Sequence, residues 1–278
     1  MPSLFKPLLG DTTPAAVVQP QTEAEVVELV RWAAAEKVPL TPRGKGTSGY
    51  GGAIPVKGGV VVDFYRLREV VAVEAEALTA TVEAGVTWEK LDRELASHGL
   101  TLRLYPTSYP SSTAAGWLAQ GGAGLGSYEY GWFRDNVVSA RVVLPDGAVR
   151  EFAGEELDLV ADAEGITGLI IQVTLRLMPR EKLEVAAVGC PDAHGLQRLL
   201  AALVEEEVPI WSLMFINPTM AEMKNRAPLM EHLGHPAEER VLLPAAYVMT
   251  LAFRRRDAEE VRAKLAKILR QCEAELLS

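Results

Sequence analysis

The run from Pro42 to Gly52 reads Pro-Arg-Gly-Lys-Gly-Thr-Ser-Gly-Tyr-Gly-Gly, five glycines in eleven residues. Each glycine removes a Cβ, so successive backbone N–H groups can converge on an anion. Thr47 and Ser48 add hydroxyl donors, and Arg43, Gly44, Lys45, Gly46, Gly49 and Tyr50 complete the candidate cradle. No Gly-Lys-Ser/Thr ends the run, so it is not a P-loop, and a strand rather than a helix follows, so it is not the dinucleotide fingerprint. Taken alone it fits a phosphate cradle or a flexible glycine turn, and Lys45 either meets a phosphate or faces solvent.

Three further segments carry groups of the same kind. Pro106, Thr107, Ser108, Ser111, Ser112 and Thr113 bring five hydroxyls ahead of an apolar helix containing Gly116, Trp117 and Leu118. Hydroxyls and free amides at a helix start bind anions or carbonyls, whereas ordinary capping needs only one of them. Gly121 and Gly122 then offer backbone amides, and Glu164, Gly165, Gly168 and Ile170 lead from a glycine turn into a strand. Cys190 and Cys272 stand far apart, with no CxxC or Cys/His cluster, and read as inert thiols. His232 and His235 are spaced like metal ligands, but no third ligand is evident and Pro236 follows at once, so no metal is expected.

The elements that must position these groups are of mixed type. The chain has 278 residues, 49% hydrophobic and 23% charged, enough for two domains with sizeable cores. A net charge of −9 argues against a nucleic-acid surface, and any phosphate must be held locally. No run approaches the roughly 20 apolar residues of a membrane span, and the N-terminus lacks a secretory pattern, so a cytoplasmic location is expected.

Val17–Gln19 reads as a strand, followed by a helix from Thr22 with a Thr22/Glu25 capping box. Val38–Thr41 and Val60–Phe64 flank the glycine run as strands. Val70–Glu74 and Leu78–Glu83 are further strands, Thr87–His98 a helix closed by Gly99, and Asp146-Gly147 a hairpin turn. Leu169–Leu177 closes this half. Beyond Pro179 the order is strand Leu183–Val188, helix Ala193–Glu206, strand Ile210–Phe215, a polar stretch to Pro244, strand Ala245–Phe253 and helix Asp257–Leu277 with an Asp257/Glu260 box. A ferredoxin-like sandwich needs one more strand, so an uncovered sheet edge is expected, closed by a partner chain, by a second copy or by sequence missing from this chain. The stripe Val261, Leu265, Ile268, Leu269 either binds a partner or packs on its own sheet.

The order of segments from Val17 to Pro179 resembles the FAD-binding domain of the FAD-linked oxidases related to vanillyl-alcohol oxidase, p-cresol methylhydroxylase, D-lactate dehydrogenase and glycolate oxidase subunits. The matching stretches are Arg43–Gly52, Val82–Val86, Pro106–Gly116, Tyr130 to Val137, Val143–Gly147 and Ala163–Ile170. Departures include Ala115 for a glycine and Ala163, Ile166, Thr167 and Leu169 in the last stretch. The resemblance implies an α+β fold: a two-subdomain FAD-binding domain of the p-cresol methylhydroxylase type at 1–180 and an incomplete ferredoxin-like cap domain at 181–278.

It also implies that Gly44–Gly49 cradle the FAD pyrophosphate, that Thr107–Thr113 with Gly121 and Gly122 line the flavin, and that Glu164–Ile170 hold the adenosine side and the ring side of the cofactor through backbone groups. The loop has no His or Cys for covalent attachment, so dissociable FAD is expected. Tyr128, Tyr130, Arg134 and Asp135 stand as flavin neighbours, and the Asn217–Pro244 loop, with Met220, Met223, Lys224, Asn225 and Arg226, as the part able to reach it. The His-rich metal segment of hydroxy-acid relatives is missing, so no catalytic base is named. The expected function is a dehydrogenase subunit that oxidises a small organic substrate such as a 2-hydroxy acid and passes electrons to a partner. The alternative is a non-catalytic FAD-binding electron-transfer or scaffold subunit.

Overall fold

A computed structural model describes residues 12–227 and 242–277. It forms two compact units: one of the residues up to Gly124 with Tyr130–Arg180, the other of Leu125–Glu129 with the residues from Glu181 onward. Each has its own apolar core. Among the described residues no helix is long and apolar enough to cross a membrane.

The first unit opens with β1 (Ala16–Val18), α1 (Glu23–Glu36), β2 (Leu40–Arg43) and β3 (Val60–Asp63), which make a parallel sheet in the order β1-β3-β2. Thr22 caps α1 through its hydroxyl, which accepts from the Glu25 amide at 3.2 Å, while the Glu25 carboxylate accepts from Gln21 N–H at 2.7 Å. Val26, Val30 and Ala33 recur at helical spacing and are buried. Each buried Val contributes on the order of 1.5–3 kcal/mol. Pro42 fits in β2 because that strand lies on the sheet edge, where a missing N–H costs no ladder bond.

A second sheet follows: β4 (Val70–Glu74), β5 (Thr79–Glu83), β7 (Val137–Val143), β8 (Val149–Ala153) and β9 (Leu169–Pro179), in the order β4-β5-β9-β7-β8, with β6 (Leu100–Leu102) pairing β9. Helix α2 (Trp88–Ser97) is capped by Thr87, and α3 (Ala114–Gln120) by Thr113. The Asp146-Gly147 turn forms as expected: Gly147 has φ +79, and the Asp146 carboxylate accepts from Ala148 N–H at 2.8 Å.

The second unit differs from the sequence expectation in three respects. After β10 (Leu183–Cys190), α4 (Ala193–Glu205), β11 (Ser212–Ile216), α5 (Pro218–Arg226) and β12 (Tyr247–Arg254), helix α6 ends at Cys272, not Leu277. Glu273 takes a left-handed conformation there, and Glu275–Leu276 returns as β13 beside Gly189 and Val188 of β10. The ferredoxin-like order β11-β12-β10-β13 is therefore complete, with a two-residue last strand where an uncovered edge was expected.

Second, the Asp257 side chain caps nothing, because a 3-10 turn over Arg255–Asp257 precedes α6. Third, Asn217–Arg226 is not loop: the Asn217 side chain accepts from Met220 N–H at 2.8 Å and Pro218 sits at the first turn, so a helix starts. Val261, Leu265 and Ile268 are buried in their own core, as are the free cysteines Cys190 and Cys272. His232 and His235 lie outside the described residues.

Candidate functional site

The glycine run leaves β2 at the carboxyl end of the parallel sheet, because β2 and β3 pair in register up to Arg43 and Asp63 and then part. Gly46 and Gly51 have φ of +63 and +89. Among the described residues, no acceptor meets the amides of Gly44, Lys45, Gly46, Thr47 or Ser48. The loop thus presents a row of unpaired donors that an anion can satisfy.

These donors form one side of a cleft that opens to solvent. It collects Arg43, Gly44, Lys45, Gly46, Thr47 and Ser48 from the loop, Ser108, Ser112, Thr113 and Gly116 from the hydroxyl segment, and Glu164, Gly165, Gly168 and Ile170 from the entry to β9. Residues far apart in sequence are thereby brought to one place.

Local bonds explain the shape. Ser108 and Ser112 share a 2.7 Å hydrogen bond, and Gln120 Nε2 donates to Ser48 Oγ at 2.9 Å, tying α3 to the loop. The Thr113 hydroxyl accepts from Gly116 N–H at 3.2 Å. A Cβ on Gly44 would stand 2.7 Å from that hydroxyl, so the loop approaches the Thr113 wall only as glycine, and one on Gly52 would stand 3.0 Å from the end of the flexible Glu164 side chain. Behind the cleft, the Trp117 ring stacks on Phe133 at 4.1 Å and meets Trp88 edge-on at 5.7 Å.

A second network holds the hydroxyl segment from outside. Asp92 Oδ1 accepts from Tyr105 at 3.0 Å, Thr101 at 3.2 Å and Arg180 at 2.8 Å, and its other oxygen from Tyr109 at 3.5 Å. Burial, with the nearby Asp92 charge, pushes the Tyr105 phenol up to about 12.

Seven candidates lie off the cleft. Tyr50 is 89% exposed, and Gly49 has nothing within 4 Å of a Cβ. Thr107 and Ser111 face outward, and Pro106 accepts from Tyr109 N–H. The Gly121 amide is engaged in closing α3 on Trp117 O, and the Gly122 carbonyl accepts from Phe133 N–H. Nor are the supposed flavin neighbours there: Arg134 pairs with Asp158 at 2.6 Å, Asp135 accepts from Trp132 N–H, Tyr128 packs in the second core and Tyr130 carries Arg103 over its ring.

Sequence reasoning passed over Phe64, Ala84, Ala115, Trp117, Ala119 and Gln120 as lining groups. The Val82–Val86 motif carries the signal for two of them. Gly85 lets that strand end approach Phe64, whose carbonyl oxygen would be 1.9 Å from a Cβ there, so Ala84 and Phe64 reach the cleft together.

The donor row, the hydroxyls and the two glycine contacts fit a dinucleotide carrying a pyrophosphate. Comparison with known proteins agrees. A family profile described as an FAD binding domain matches residues 14–153. D-lactate dehydrogenase [cytochrome] of Arabidopsis thaliana is 35% identical over 63% of this chain and 32% of its own length. Glycolate oxidase subunit GlcD of Bacillus subtilis is 26% identical over 90% of this chain and 55% of its own, and D-lactate dehydrogenase of Archaeoglobus fulgidus 27% over 91% and 57%. The chain therefore spans a third to somewhat over half of the length of these curated relatives.

Two solved structures of alkyldihydroxyacetonephosphate synthase superpose with TM-scores of 0.79 and 0.80 at 22% and 23% identity, covering 94% of this chain and 53% and 51% of theirs. At that identity the likeness shows the fold, of the p-cresol methylhydroxylase type. With the profile matching half of the sequence, the chain belongs to the FAD-binding domain family of FAD-linked oxidoreductases, and FAD is its cofactor.

Proposed function

We propose that this protein is a dehydrogenase subunit that binds FAD without a covalent link, oxidises a small organic substrate such as a 2-hydroxy acid, and passes the electrons to a protein partner. The observation that carries the reading is the row of unpaired loop amides from Gly44 to Ser48, facing the hydroxyls of Ser112 and Thr113 across one cleft. Bound there, FAD supplies the two-electron chemistry. The chain's own part is to meet the pyrophosphate with backbone donors and Arg43, to hold the cofactor with Ser108, Ser112, Thr113 and the Glu164–Ile170 turn, and to wall it with Trp117.

Residues 1–180 would act as the FAD-binding domain and 181–278 as the cap on the substrate side. No histidine or cysteine lines the cleft among the described residues, which supports dissociable cofactor. Relatives named as D-lactate dehydrogenases and as a glycolate oxidase subunit support both the substrate class and the need for a partner. A second copy of the chain or another subunit fits the β11 edge, where Met214 and Phe215 are about half exposed. The proposed location is the cytoplasm.

The test is an absorption spectrum of the purified chain before and after denaturation, then anaerobic addition of D-lactate or glycolate. Flavin bands that move to the supernatant establish dissociable FAD, and bleaching by one acid establishes a dehydrogenase. Flavin that no acid bleaches favours the accessory, electron-relaying role. A colourless protein that takes up no added FAD overturns the reading.

A further inference from the structure

Cys190 and Cys272 stand far apart in the chain, yet the fold brings them to one place. Cys190 is the last residue of β10 and Cys272 the last of α6. On β10, Ala186, Val188 and Cys190 alternate along one buried face, and on α6, Val261, Leu265, Ile268 and Cys272 recur at helical spacing as one buried stripe. Both series line the same core, so both thiols enter the layer between sheet and helix. Cys190 is 1% exposed and Cys272 4%.

The path of the chain after α6 sets how near they come. Glu273, with φ +54, reverses the chain, and β13 returns antiparallel to β10 with Leu276 opposite Val188 and Glu275 opposite Gly189. Leu277 N–H donates to Ala187 O at 2.8 Å, which holds that register. One step further along it Ala274, itself packed on the core, meets Cys190, and Cys272 lies two residues before it. Opposed residues of an antiparallel pair stand about 4.5–5.5 Å apart between Cα atoms, and a disulfide spans about 4.4–6.8 Å. Burial pushes the Cys190 thiol up, and the charge of Cys272 adds to it, an effect of close neighbours.

Strand β13 is the weak point of this sheet, because it is two residues long and both are exposed. Opening the end of α6 costs only a few terminal contacts, and it gives a small oxidant access to sulfurs that the closed core shields.

We propose that Cys190 and Cys272 form an intramolecular disulfide under oxidising conditions, a reversible lock that ties the end of α6 to β10 and fixes β13 on the sheet edge. A small disulfide such as oxidised glutathione is the oxidant. One cysteine thiolate attacks it and expels a glutathione thiolate, then the other attacks the mixed disulfide and expels the second. The protein gives up two protons and two electrons, and oxidised glutathione takes them up as two thiols. The raised Cys190 thiol makes attack slow at neutral pH, so the pair stays reduced in a reducing compartment and responds to sustained oxidation. The lock needs no cofactor, so it and FAD binding stand or fall separately.

The experiment holds the full chain in glutathione buffers of graded redox poise, blocks the remaining thiols by alkylation and maps the peptides by mass spectrometry. The expected result is one peptide pair joined through Cys190 and Cys272, formed in the folded chain and reversed by dithiothreitol. The oxidised chain should melt about 5 °C or more above the reduced one, because the bond closes the long loop from β10 to the end of α6. Hydrogen exchange of the Leu277 amide should slow about tenfold or more. Cys190→Ser should show neither change, and Cys272→Ala takes its place if the serine variant does not fold. Thiols that stay reduced in the most oxidising buffer until the chain is unfolded overturn the pairing, as do glutathione adducts or chain-to-chain bonds in place of the internal one. An internal bond that leaves melting and Leu277 exchange unchanged, or a single-cysteine variant that gains as much, overturns the lock.

Discussion

The Thr113 hydroxyl stands 2.7 Å from the point that a Cβ on Gly44 would occupy. Thr113 cannot yield, because it is 1% exposed and its oxygen caps α3. Gly44→Ala must therefore push the loop out of the cleft. It should weaken FAD binding about tenfold or more while changing the unfolding midpoint little, since the loop itself is exposed. Gly49→Ala, with nothing within 4 Å, is the control and should bind as the native chain does. Titration of FAD by fluorescence reads both.

Asp92 collects donors from Thr101, Tyr105, Tyr109 and Arg180, so removing it leaves the buried Thr101 and half-buried Tyr105 hydroxyls only each other and takes the carboxylate from Arg180. Asp92→Ala should cost about 1–3 kcal/mol in denaturant unfolding. Because Tyr105 is raised in the folded chain, its contribution is complete below pH 10 and fades as the pH climbs toward about 12. Burial raises the Tyr109 and Tyr128 phenols as well, so ultraviolet titration should find more than one tyrosine ionising above pH 10, and Tyr105→Phe should remove the step near 12.

The sequence made legible those features that a few adjacent residues decide. Thr22 and Thr87 announce their helices, and Asp146-Gly147 its turn, because cap and turn chemistry is local. The phosphate-like loop was legible for the same reason. Which hydroxyls of Thr107–Thr113 reach the cleft was not: Ser108, Ser112 and Thr113 do, whereas Thr107 and Ser111 face out, a choice made by how the segment folds back on itself. Gly121 looks like an anion binder in sequence, yet its amide closes α3, whereas at Gly122 it is the carbonyl that is engaged, by Phe133 N–H. Strand Glu275–Leu276 is too short for any periodicity to register, and only its pairing with β10 reveals it.

Glu23 and Arg141 join the start of α1 to β7 through two hydrogen bonds, at 2.6 and 2.9 Å. The Arg141 hydrogen bond holds Glu23 below its ordinary value of 4.5. A depressed carboxylate stabilises the fold fully above its unfolded pKa, and that contribution is lost as the pH falls through the folded value. Stability should therefore drop on the acid side of pH 4.5, and Glu23→Gln should make that limb shallower while lowering stability at neutral pH. Both side chains are more than a third exposed, so solvent screening keeps the neutral-pH loss below about 1 kcal/mol. Urea unfolding across the acid range measures it, and an unchanged acid limb would remove the pair from the account.

The two basic residues of the loop have different tasks. The Lys45 ammonium lies 4.9 Å from the centroid of the Tyr65 ring, which Arg68 also approaches at 5.0 Å. Arg43 has no carboxylate partner among the described residues, and its Nε is 3.2 Å from the Cβ position of Gly46, at the centre of the donor row. A guanidinium beside a pyrophosphate makes charge-assisted bonds, whereas an ammonium held on an exposed ring gains about 0.5–1 kcal/mol where it is. Arg43→Ala should weaken FAD binding about tenfold and flatten its dependence on salt, because one screened charge pair has gone. Lys45→Ala should change affinity less than about threefold, with the salt dependence kept. If Lys45→Ala matched Arg43→Ala in both respects, the ammonium would have to leave Tyr65 for the phosphates when FAD binds, and the division of labour between the two residues would fall.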